Sequence, residues 1–137
     1  MLWLAAGRMS PKPQAYFESR LPHGPRRETL WRALYAYHFS RLISAEDCVL
    51  DWAAAMATLL NQVVSRKRIA LDQWEGFIDY LRPGVEGRVG DVAELSFIAP
   101  SSVNFAFASN LFEHITQKEF RSSPVPTQNR RRQRAAR

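Results

Sequence analysis

Cysteine is almost missing from these 137 residues. With Cys48 alone, no internal disulfide can form, and neither a Cys-x-x-Cys pair nor a zinc knuckle can be built. A reducing compartment is the expected setting. Long apolar runs are missing as well: none approaches the roughly 20 residues that cross a bilayer, so no membrane partner is expected. No Gly-rich phosphate loop, Gly-x-Ser-x-Gly elbow or His-Glu-x-x-His stands in the chain. A non-enzymatic protein with no cofactor and no bound metal is the resulting expectation. Acid is lacking from residues 121–137, which hold six arginines and account for the whole net charge of +6.

What is present is apolar. The chain is 46% hydrophobic and 12% aromatic, too rich for a disordered polymer, and its length suits one ordinary domain. Residues 1–120 balance their charges, so the pI near 10.1 belongs to the tail. A neutral body gives no sign of a folded face that reads phosphates.

Prolines at 11, 13, 22 and 25 punctuate residues 1–25, leaving room for one short helix at about 14–20. That stretch reads as a lead-in. Its excess of Arg and Lys over acid also allows a mitochondrial presequence. Gly24 and Pro25 form a helix start, because the N–H that proline lacks has no partner at the first helical position. Leu30, Leu34, His38 and Leu42, with Trp31, Tyr35 and Phe39 beside them, extend that helix to about Ile43.

Ser44 to Asp47 resembles an N-cap for a second helix carrying Cys48, Trp52, Ala55, Met56, Leu59, Leu60 and Val63. Trp74, Phe77, Ile78 and Leu81 define a third, over 71–81, stopped by Arg82-Pro83-Gly84. Residues 83–91 read as loop and 92–99 as a short helix. Ser101-Ser102 caps a last helix to about Phe120, apolar on every side, that requires either the core or a partner. The expected fold is therefore all-α: a single bundle of four to five helices over 26–120, with a disordered arginine-rich tail over 121–137.

Chemistry-bearing residues have plain explanations at this stage. His38, within an apolar stripe and without an acid or second histidine at helical spacing, reads as a buried, hydrogen-bonded side chain. His23 lies in a Pro-His-Gly turn. Asp47 and Asp51 fall four apart, as a capping acid and a solvated carboxylate would. The tail, with Arg130, Arg131, Arg132, Arg134 and Arg137, can bind nucleic acid, signal nuclear import, meet an acidic partner or only solubilise. As a nucleic-acid anchor it implies a steep salt dependence, with a slope of about −0.9 per phosphate contacted. On that reading the chain is a small nucleic-acid-associated protein, such as a peripheral component of the mitochondrial ribosome.

Two blocks resemble the N-terminal region of subunit 12 of the Mediator complex in its plant and algal forms. Pro22, His23, Gly24, Arg26, Arg27 and Leu30 fall in a Pro-His-Gly-x-Arg-Arg-x-Thr-Leu pattern. Trp31, His38 and the run Val49-Leu50-Asp51-Trp52 are similar to a helical pair farther along in that family. As a short or partial relative, the chain would be a nuclear, non-catalytic scaffold. The resemblance implies packing against the cyclin, the cyclin-dependent kinase and other subunits of the kinase module, in regulation of transcription by RNA polymerase II.

Overall fold

The computed structural model describes residues 15, 19, 24–91 and 95–109. Four strands dominate it: β1 Cys48–Trp52, β2 Lys67–Asp72, β3 Val85–Val89 and β4 Phe105–Phe107. All pairings are parallel, in the order β3-β2-β1-β4. The fold is α/β, and the all-α expectation is overturned.

The first helix survives in shortened form. Helix α1 spans Pro25–Tyr37, with extended Gly24 as N-cap and proline at its first position, as expected. It stops at Tyr37 instead of Ile43, and Phe39–Arg41 tightens into a 3₁₀ turn. Ala15 and Ser19, the two described residues of the expected lead-in helix, are helical.

The expected second helix is a strand and a loop. Ser44 does not cap a helix; its Oγ accepts the N–H of Glu46 at 3.2 Å, and its own N–H donates to Asp47 Oδ2 at 2.7 Å. This turn launches β1. The third helix is replaced by β2 and a 3₁₀ helix, Glu75–Tyr80, and the glycine-punctuated loop contains β3. Residues 95–99 lie in turns, not a helix. Ser102 Oγ donates to the Ala99 carbonyl at 2.7 Å, closing a turn where a cap was expected, and β4 follows. The rest of the expected last helix and the arginine tail lie outside the described residues.

The reason for the error is physical. A parallel sheet covered on both faces needs apolar side chains on both, so its strands lose the alternation that marks a half-exposed strand. All five residues of β1 are buried, and so are the last four of β2. Runs of this kind, continued by apolar loop residues, imitate helical spacing.

Alternate strand residues feed two cores. Val49 and Ala70 face Met56, Leu59, Leu60, Val63, Trp74 and Phe77, beneath Trp31 and Tyr35 of α1. Cys48, Leu50, Trp52, Ile69 and Leu71 form the opposite face with Leu95 and Val103. Leu50, Leu71 and Phe77 are essentially inaccessible, and each contributes roughly 1.5–3 kcal/mol through burial.

Helix α1 is tied down at several points. The Trp31 ring meets Phe107 edge-on at 5.6 Å, and Phe39 meets Phe105 and Phe107 at 6.3 and 5.5 Å. Tyr35 Oη accepts the N–H of Val64 at 3.0 Å, and Glu28 pairs with Arg82. At β4, Cys48 N–H donates to Asn104 Oδ1 at 2.8 Å, while Asn104 N–H returns to the Cys48 carbonyl at 2.9 Å.

Candidate ligand crevice at the strand ends

Chain order reverses between β1 and β4: the chain moves outward from β1 through β2 to β3, then returns to the far side of β1. In open α/β sheets the loops on either side of such a reversal diverge and leave a crevice at the carboxyl ends of the strands. A small, shallow cleft open to solvent lies there. Its lining includes Asp51 of β1, the following loop from Ala53 to Met56, Phe107 of β4, and Arg27 and Trp31 of α1.

The loop after β1 has an unusual backbone. Ala53, Ala55 and Ala57 all adopt left-handed conformations, with φ of 62°, 47° and 48°. Glycine takes this region freely, whereas a residue with a Cβ pays roughly 1–2 kcal/mol. The loop is held by its neighbours. Ala54 N–H donates to the Leu71 carbonyl at 3.0 Å, and Ala55 N–H donates to Asp72 Oδ2 at 2.8 Å.

Asp72 ends β2 and is 5% exposed. Its Oδ1 accepts the N–H of Trp74 at 2.9 Å. Burial raises its carboxyl above the ordinary value of 3.8, while the donated amides of Trp74, Ala55 and Gln73 oppose that rise. Asp51 is 4% exposed. Burial first, and the charge of Asp72 second, push its carboxyl well above 3.8. Two adjacent strands therefore each bring one buried acid to the carboxyl end of the sheet.

The expected site residues separate. Arg27, Trp31 and Asp51 converge on the cleft. Asp51 is not a solvated helical carboxylate, and Trp52, buried at 4%, faces the opposite core from a strand. His38 is exposed at the end of α1, its ring edge-on to Phe39 at 5.0 Å, which corrects the buried reading. Arg26 and Leu30 are exposed. Pro22, His23 and the tail arginines at 130, 131, 132, 134 and 137 lie outside the described residues.

Asp72 and the three left-handed alanines escaped the sequence reading. A signal for the acid was present: Leu50-Asp51 and Leu71-Asp72 each end a short aliphatic run with a carboxylate, as strands ending at a crevice do. The alanines gave none, because only glycine advertises a positive φ. Comparison with family models, curated proteins and solved structures returns no match to this chain.

Proposed function

We propose that the carboxyl end of the sheet binds a nucleoside-bearing small molecule, with Asp72, at the end of β2 and beside the cleft's own lining, addressing the ribose hydroxyls. The observation that carries this reading is the acid at the end of β2, about 20 positions beyond the loop that leaves β1. That is the place from which a doubly wound nucleotide domain addresses the ribose. The order β3-β2-β1-β4 supports it, being the first four strands of the order 3-2-1-4-5-6. Asp91 follows β3 on the same side of the sheet. A carboxylate there can accept from an exocyclic amine, which adenine carries and uracil and thymine lack.

The loop chemistry narrows the ligand. Dinucleotides place a pyrophosphate on the N-terminus of an α-helix entered from a glycine-rich turn. Here β1 leads through the alanine loop into a three-residue 3₁₀ turn, Leu60–Gln62, and Asp51 stands at the crevice. The turn gives a pyrophosphate no α-helix N-terminus to sit on, so a ligand without one suits the site better than a dinucleotide. An adenosyl sulfonium, S-adenosylmethionine, has that character, and methyl transfer is the chemistry that ligand supports.

Titration calorimetry of the full chain with S-adenosylmethionine, adenosine and NAD tests the reading. Binding of the first two, weakened about tenfold or more by Asp72→Asn, is the expected result. Failure of every adenosine compound to bind would sink it.

A second reading keeps the scaffold role in a Mediator-type kinase module. What favours it is an exposed pair on α1, Leu30 at 56% and Leu34 at 37%, one helical turn apart and next to the Pro-His-Gly block. Capture of the cyclin or the cyclin-dependent kinase from nuclear extract, lost on Leu30→Glu, is the outcome that reading requires.

A further inference from the structure

Within the cleft, one polar group is unexplained. The Nε of Arg27 is buried and has no hydrogen-bond partner. Buried polar atoms without partners are rare, and each calls for a reason. The nearest acid along α1, Glu28, is taken by Arg82 on one side and lies 3.7 Å from Arg32 on the other. Among the described residues no carboxylate pairs with Arg27. Its guanidinium sits 5.9 Å from the centre of the Trp31 ring, over one face, and that contact orients it. Among the described residues that line the cleft, Arg27 is also the sole cation.

We infer that Arg27 is the anion receptor of this crevice and that the ligand carries a carboxylate at the end remote from its ribose. This rests on the adenosyl reading above and adds the chemistry of the ligand's other end. Guanidinium groups bind carboxylates through paired N–H donors, and such charge-assisted bonds are about twice as strong as neutral ones. One guanidinium balances a single negative charge. A phosphate dianion would leave one negative charge that this lone arginine does not offset, beside Asp51, whose own ionisation its burial already disfavours. Ser109, on the stretch leaving β4, also lines the cleft and provides a hydroxyl for the same group. An α-amino acid chain attached to the adenosyl group satisfies all of these demands.

The test compares three probes on the full chain by calorimetry: S-adenosylmethionine, its decarboxylated analogue, and 5′-methylthioadenosine, which lacks the amino-acid chain. Loss of the carboxylate should weaken wild-type binding by about 10- to 100-fold. Arg27→Gln should weaken S-adenosylmethionine by the same factor and leave the decarboxylated analogue unchanged, with Arg27→Lys between. Equal wild-type affinity with and without the carboxylate overturns the inference even where adenosyl binding stands. So does an Arg27→Gln variant that weakens both ligands alike. If none of the three binds, the nucleoside reading has failed and takes this inference with it. Should Arg27→Gln not fold, the wild-type series alone decides.

Discussion

The carboxylate of Asp72 accepts the backbone N–H of Ala55 at 2.8 Å, so the acid that ends β2 grips the loop that leaves β1. The other carboxylate oxygen of Asp72 accepts the Trp74 N–H at 2.9 Å, so both oxygens of the group proposed for the ribose already hold backbone amides. On the ribose reading, a hydroxyl would have to share or displace one of these bonds, and the net gain from Asp72 would be the difference between the two.

The strained loop yields the first prediction. Ala55→Gly removes a Cβ from a left-handed residue, relieving about 1–2 kcal/mol, while the freer unfolded chain returns roughly 0.5–1 kcal/mol. A net gain up to about 1.5 kcal/mol should appear as a higher urea midpoint at unchanged slope. Ala53→Gly should behave in the same way. A loss of stability in both would mean that the methyl groups pack usefully and that the backbone is not strained.

Asp51 yields the second. Its folded carboxyl is raised above the ordinary 3.8, so the folded state holds this proton more firmly than the unfolded chain does. The contribution is then fully present below the ordinary value and is lost as pH rises through the raised one. Asp51→Asn, which stays neutral, should stabilise the protein near neutral pH by roughly 1–3 kcal/mol. It should also flatten the rise in melting temperature that this linkage predicts as wild type is acidified towards pH ~4. Asp72 shares the trend, since its carboxyl is raised too, so some slope should persist in the variant. A melting profile that Asp51→Asn leaves unaltered would contradict the burial of this carboxylate.

Trp52 yields the third. Its ring is buried against Leu50, Ile69, Leu71 and Leu95 on the face away from α1. Trp52→Ala should cost about 3–5 kcal/mol, close to the whole stability of a small domain. Chemical denaturation followed by far-ultraviolet circular dichroism measures it. A cost under 1 kcal/mol would place the indole in solvent.

Legibility followed exposure. The start of α1 was readable because Gly24 and Pro25 act locally, through a cap and a missing donor. Burial of Trp52, Leu59, Leu60 and Phe77 was readable from hydrophobicity alone. Strand identity was not. Val49 and Leu50 point into opposite cores, so neither face of β1 leaves a polar mark, and period two vanishes from the sequence. The crevice was less visible still, since it joins Arg27, Asp51 and Phe107, which only the crossover from β3 back to β4 brings together. Arg27 and Asp51 were singled out for other reasons and proved to share one cleft. Asp72 drew no notice because a carboxylate after Leu71 looks like any surface acid until β2 is known to end there.

The mutual clasp of Cys48 and Asn104 has a kinetic consequence. A ribosome releases β1, β2 and β3 in the order in which they sit side by side, so those three can zip together during synthesis. The fourth must close a span of more than fifty residues back to the first, the slowest kind of contact to make. One wall of the crevice thus arrives only with Phe107, and a nascent chain halted before it holds three of the four described strands while that wall is missing.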